Sequence, residues 1–275
     1  MIYKRYGRVF RKIREQAEVP LSAFLSIGIP KSTLSNFERG NSMMSFDKVI
    51  LCLELMGSSL EDFEHLLNNY MPCDSTILVE EILHAEIVHD EKELRRLEGI
   101  AASYEYPYLE ICIKVILKEV IDREVEEVVD FLYKVHLWTV KELYILYVMI
   151  DYMTVKDILY ILKSLEHQGQ GICNSKKYQK YIACVLYRSI TSLCMRGEKF
   201  KAKELMDRVV KYDFGNTIFL KNLFKAVKGF WIYCFENRKK GQNMIQNFLD
   251  KQVLVGDEKM ARYYSKRFDY LLSKW

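Results

Sequence analysis

The chain has 275 residues, half of them hydrophobic, and its 41 Lys/Arg against 37 Asp/Glu leave a net charge of +4. That length allows one to three domains with a sizeable core, and the mild charge excludes a protein that coats nucleic acid over its whole surface, so any basic face is local. Only four prolines and twelve glycines occur, the composition of a mostly helical protein, and no run is apolar for long enough to span a membrane. Met1-Ile2-Tyr3-Lys4-Arg5 lacks the apolar core of a signal peptide, so a cytoplasmic protein is expected. The seven cysteines, at 52, 73, 112, 173, 184, 194 and 234, form no Cys-x-x-Cys pair and read as reduced thiols.

Tyr3 to Glu18 reads as an amphipathic helix, with Tyr6, Val9, Phe10, Ile13 and Ala17 on one face and Lys4, Arg5, Arg8, Arg11, Lys12 and Arg14 on the other. Pro20 opens a short helix over Leu21–Ile27, and Gly28 supplies the left-handed turn after it. Pro30 suits the first position of the next helix. There Leu34 and Phe37 share an inward face, while Lys31, Ser32, Thr33, Ser35, Asn36 and Arg39 fall largely on the rest, and Gly40 ends it. Such polar side chains reach base edges and phosphates in a major groove, with Ser32, Thr33 and Asn36 as base readers, Lys31 and Ser35 reaching bases or phosphates, and Arg5, Arg8, Arg11, Lys12 and Arg14 of the preceding helix as phosphate contacts. Arg39 beside Glu38 has a second reading, a structural ion pair. A helix over Ser45–Met56 follows, then Ser58-Ser59-Leu60-Glu61 fits a capping box before a helix to about Leu67. Residues 1–39 hold eight Lys/Arg and three Asp/Glu, a one-sided balance that favours DNA phosphates over a merely solvated bundle.

Residues 3 to about 67 resemble a bacterial Xre/repressor-type helix-turn-helix domain, most closely over Ile29–Gly40. Pro30 replaces the Ser or Thr that often caps the reader helix, and Leu21-Ser22-Ala23-Phe24 lacks the family's phosphate-touching Thr-Gln pair.

Asn68 to Asp74, with Pro72 inside it, breaks the helical pattern and marks a boundary, giving a reader over 1–67, a linker over 68–75 and a second domain over 76–275. Beyond it the periodicity predicts helices over 75–87, 90–104, 107–121, 124–137, 139–151, 154–168, 176–195, 199–212, 217–236, 239–252 and 257–273. Thr139-Val140-Lys141-Glu142 and Thr154-Val155-Lys156-Asp157 read as capping boxes, and Gly169 and Gly171 loosen one loop. Ile190–Val209 and Gly229–Phe248 echo each other at a spacing of 39, each resuming after a basic turn at a small residue, Ala202 or Gly241. Short connections and this echo predict stacked helical hairpins of the tetratricopeptide (TPR) kind, whose inner wall accepts a peptide or helix. Candidates for such a wall are Tyr144, Tyr147, Asp151, Tyr187, Arg188, Thr191, Asn222, Lys225 and Trp231, with Arg188 or Lys225 facing a carboxylate and Asn222 facing backbone. The bland alternative is an aromatic core. The apolar last helix, Asp257–Trp275, reads as a cap on the repeats or a dimer seam.

The order and size of the two parts resemble the Rgg/GadR/MutR regulators. The expected fold is therefore all-α: a five-helix Xre-type bundle followed by a right-handed superhelical TPR-like α-solenoid. The resemblance implies a homodimer that binds double-stranded promoter DNA in a Gram-positive bacterium under control of a short signalling peptide. A helical-repeat repressor or interaction module without a peptide ligand is the alternative. No catalytic or metal-ligand constellation is read, and no cofactor is expected; Glu80 and His84 read as a solvated pair.

Overall fold

The structure is a computed structural model that describes residues 3–71, 73–168, 171–172, 175–212 and 217–275; Pro72, Gly169 and Cys173, singled out above, lie outside the described residues. It divides into two compact units, Met1–Asp74 and Ser75–Trp275.

The first unit is built from α1 (Tyr3–Gln16), a 3-10 helix (Ala23–Ile27), α2 (Lys31–Arg39), α3 (Phe46–Leu55) and α4 (Leu60–Leu67). The short helix expected over Leu21–Ile27 is a 3-10 helix over Ala23–Ile27. Between Pro20 and Gly28 the bonds run three residues back, from Ala23 N to Pro20 O (3.0 Å) and from Leu25 N to Ser22 O (3.2 Å). Gly28, at φ 76°, closes it: its N–H bonds Leu25 O and the Ile29 N–H bonds Phe24 O, the paired reverse bonds of a Schellman turn. Phe10, Phe24 and Phe37 form the centre, with Phe10–Phe37 packed edge-on at 5.3 Å and Phe10–Phe24 at 6.4 Å. Ala17 lies beyond the end of α1 and is exposed rather than in the buried stripe. The capping box that opens α4 uses Ser59 and Asp62, one residue later than read from the sequence.

The second unit contains eleven α-helices among the described residues: α5 (Asp74–Val88), α6 (Glu91–Ser103), α7 (Pro107–Leu117), α8 (Asp122–Tyr133), α9 (Val140–Met149), α10 (Val155–Gln168), α11 (Lys176–Met195), α12 (Lys199–Lys211), α13 (Ile218–Phe235), α14 (Arg238–Leu254) and α15 (Glu258–Lys274). A 3-10 turn, Ile150–Tyr152, follows α9. Two boxes act as expected: Glu142 accepts from the N–H of Thr139, and Thr154 and Asp157 bond reciprocally. α7 stops short of 121 because Lys118 takes the left-handed conformation, φ 62°, and α8 starts and ends early in consequence. α7, α9, α11 and α13 pack side by side, and consecutive helices pair as hairpins, α6 on α7, α11 on α12 and α13 on α14. One continuous apolar core runs through the unit. The hairpin α13/α14 is the tightest: a Cβ on Gly241 would lie 2.5 Å from Gly229 O, so the small residue read in the repeat echo is where two backbones meet.

Candidate functional sites

In the first unit α2 has two faces. Leu34 and Phe37 are fully buried, and Ile29 just before the helix is 1% exposed. Lys31, Ser32, Asn36 and Arg39 are exposed, and Thr33 and Ser35 half-buried. The helix is pinned from its inner side. Glu38 is 7% exposed and takes the Arg14 guanidinium bidentately, Nε donating to Oε1 at 2.6 Å and Nη2 to Oε2 at 3.1 Å. Arg14 Nη1 also donates to Val19 O at 3.1 Å. Arg14 therefore holds α1 to α2 and leaves the expected phosphate-contact set. The same bond decides Arg39: its neighbour Glu38 is turned inward to Arg14, and Arg39 stays on the surface. Arg8, Lys12 and Lys4 are exposed, Arg11 pairs with Glu15 at 2.6 Å, and Arg5 donates to Leu67 O at the end of α4.

Gly7 allows this arrangement, and nothing in the periodicity flagged it. A Cβ there would fall 1.9 Å from Phe37 O, so α1 and α2 touch backbone to backbone. Gly40 meets α1 in the same way, 2.7 Å from Lys4 Cα, while its φ of 72° closes α2.

In the second unit the candidates separate into groups. Tyr147, Tyr187, Arg188 and Thr191 line one hollow of about 30 Å3, together with Cys184, Leu223 and Val227 and four residues of the terminal helix, Tyr264, Arg267, Phe268 and Leu271. Asp151 sits beside it. Its Oδ2 accepts from Arg188 Nε (3.0 Å), Arg188 Nη2 (2.7 Å) and Arg267 Nη2 (3.2 Å). Burial pushes the Asp151 carboxyl up, but Arg188 and Arg267 outweigh it and hold the group at about 2. The Arg188 guanidinium lies 4.5 Å from the centre of the Tyr147 ring. Tyr147 meets the Tyr263 hydroxyl at 3.3 Å, and Tyr263 donates to Glu86 Oε1 on α5 at 2.8 Å. Burial raises the hydroxyls of Tyr263 and Tyr264 well above the usual tyrosine range.

Three expected wall residues lie elsewhere, and a fourth goes with one of them. Tyr144 is 2% exposed and belongs to the core, because its position on α9 faces α7 and α11 packing rather than an opening. Trp231 is 7% exposed and donates from Nε1 to Lys199 O at 3.1 Å, fastening α13 to the start of α12. Asn222, and Lys225 with it, line a different hollow, between α13 and α14. Sequence reasoning missed Glu86 and Arg267. Their partners lie 177 and 116 residues away in the chain, beyond any local spacing. The one usable signal was the Tyr263, Tyr264, Phe268, Leu271 stripe of α15.

A small bundle with a short turn before an exposed polar helix, followed by stacked helical hairpins, defines the class of helical-repeat transcriptional regulators. Residues 83–266 match the family described as HTH-type transcriptional regulator Rgg, C-terminal domain, and the chain belongs to that family. Solved structures agree in fold. A structure from Listeria monocytogenes EGD-e, described among transcriptional regulators, superposes with TM-score 0.78 at 13% identity, covering 99% of this chain and 98% of that one. The SHP pheromone receptor Rgg2(C45S) of Streptococcus dysgalactiae gives TM-score 0.72 at 18% identity, covering 97% and 98%. The PrgX/cCF10 complex gives 0.63 at 14%, covering 98% and 93%.

Proposed function

We propose that the first unit reads double-stranded promoter DNA and that the second holds a short signalling peptide which changes that reading. α2 enters the major groove with Ser32, Thr33 and Asn36 toward base edges. Lys31, Ser35, Arg39 and the α1 side chains Arg5, Arg8 and Arg11 lie toward phosphates. The observation that carries this is the division of α2: one face locked by Phe37 and the Arg14–Glu38 pair, the other polar, exposed and flanked by surface cations. Two copies of the reader in a homodimer fit an inverted-repeat operator. The peptide lies against α9, α11 and α15, where Arg188 meets a carboxylate and Tyr147 and Tyr187 give amphipathic walls. It shifts the dimer between two DNA-binding states. Membership of the Rgg family supports this, as does likeness to chains described as pheromone receptors. A Gram-positive cytoplasm is the setting. No described helix is long and apolar enough to cross a membrane.

The second reading, a repeat domain with no peptide ligand, is favoured by one observation: the hollow beneath α15 measures about 30 Å3, room for about one water. Genome-wide footprinting of the purified protein, with and without extract from a culture of its source, tests both. Salt-sensitive protected sites that respond to an extracted peptide support the first reading. Protected sites indifferent to every fraction support the second. No duplex affinity at low salt overturns both.

A further inference from the structure

Two hollows open along α14 away from the sites above. One, of about 450 Å3, is lined by Asn237, Lys239, Lys240, Asn243, Met244 and Asn247. The other, of about 190 Å3, is lined by Asn222, Lys225, Met244, Asn247, Phe248 and Lys251. Met244 and Asn247 belong to both, so the two run on along one face of α14 as a shallow trough, which α13 walls only at the Asn222 and Lys225 end. Gly229 and Gly241 bring α13 and α14 to backbone contact beside Met244.

The chemistry of the trough is one-sided. Four lysines and four asparagines line it, and no carboxylate does. Among the described residues none of Lys225, Lys239, Lys240 and Lys251 makes an ion pair. Asp250, on the same helix, accepts from Gln246 at 2.8 Å and is not part of the lining. α14 begins here, with Asn237 capping the Lys240 N–H at 2.9 Å, and the positive end of the helix adds to Lys239 and Lys240. Met244 and the buried Phe248 give an apolar floor.

We propose that this trough binds an extended acidic peptide segment of a partner protein. Lysines at its two ends pair with carboxylates. The asparagines between them donate to and accept from the peptide backbone, and the floor takes an apolar side chain. From Lys239 to Lys251 the helix rises about 18 Å, the length of about five or six extended residues. The apolar floor and the asparagines suit a peptide better than a phosphate backbone.

The test uses the full chain and a fluorescent eight-residue probe of alternating Glu and Leu, with a Gln-for-Glu counterpart as control. Carbodiimide coupling of probe carboxylates to lysine amines, mapped on the unaltered chain, is expected at Lys225, Lys239, Lys240 and Lys251. In polarisation titrations the Lys225→Glu/Lys251→Glu variant weakens binding by on the order of 10-fold or more, as loss of two charge-assisted contacts requires. Lys92→Glu/Lys163→Glu, on other helices, leaves it unchanged. The proposal is overturned by equal binding of the Gln probe, by coupling confined to α1, or by an unchanged Lys225→Glu/Lys251→Glu variant. Displacement of the probe by equimolar duplex DNA or by inorganic phosphate overturns it too.

Discussion

Asp151→Asn probes the link between the terminal helix and the inner helices. In the wild type one oxygen of Asp151 accepts from two guanidiniums, which hold the carboxyl at about 2 against an ordinary 3.8. For a fully shielded group that gap corresponds to roughly 2.5 kcal/mol of stability. The Asp151 side chain is 34% exposed, and solvent screening cuts the figure to about 1–2 kcal/mol. The folded state binds this proton more weakly than the unfolded chain, so the contribution is complete above about pH 4 and drains as the pH falls through 2; about half is gone at pH 3. At pH 7 the Asn variant loses this contribution and also strands Arg188, whose side chain is 10% exposed. The expected total cost is about 2–4 kcal/mol. Urea unfolding followed by tryptophan fluorescence measures it, because Trp138, Trp231 and Trp275 all lie in the second unit and report it alone. The wild-type-to-variant gap is expected to narrow between pH 7 and pH 3. A gap that is equal at both, or below about 0.5 kcal/mol at pH 7, the range of an ordinary surface change, refutes the reasoning.

Glu38→Gln removes the buried partner of Arg14 and is expected to destabilise the first unit by about 2–4 kcal/mol, read as faster amide exchange along α1 and α2. Gly7→Ala puts a Cβ 1.9 Å from Phe37 O, and repacking α1 against α2 should cost about 3 kcal/mol, with the same readout. Asn36→Ala should relax preference by about 1–3 kcal/mol at a single base pair of the operator, and an unchanged site preference in a selection experiment would remove α2 from the groove. Arg8→Ala should weaken binding to all sequences alike and lower the salt slope by about one.

The helix pattern was legible because it depends on neighbours in the chain. Apolar spacing and the Thr139 and Thr154 boxes are local, and the helices of the second unit appear where the period places them except around Lys118, where α7 ends and α8 begins and ends early. Features that need two distant segments were not legible. Arg14 belongs by spacing to the basic face of α1, and only the approach of α2 shows that Glu38 claims it. Gly7 looks like a weak point in a helix until Phe37 O is placed against it. Asn222 and Lys225 have the chemistry of a peptide wall and sit on the helix that should bear one, yet they face α14 rather than Arg188. Helical period places a residue on a face of its own helix; which neighbour that face meets is settled by the packing of the repeat.

Packing decides the place of the terminal helix as well. α15 is legible as apolar and reads as a cap or a dimer seam. Within the chain Tyr263 reaches Glu86 on α5, Arg267 reaches Asp151, and Tyr264 packs on Phe219 and Phe248 at 6.0 and 5.4 Å. These contacts narrow the inner hollow, which has about 30 Å3. On the proposed reading a peptide beside Arg188 displaces α15, and among the described residues the side-chain hydrogen bonds at stake are one to Glu86, one to Tyr147 and the share of Asp151 held by Arg267. Arg188 makes its own two bonds to Asp151 without any part of α15. The larger part of what holds α15 is the aromatic packing of Tyr264 and Phe268 on Phe248, apolar surface that any displacement of the helix would expose.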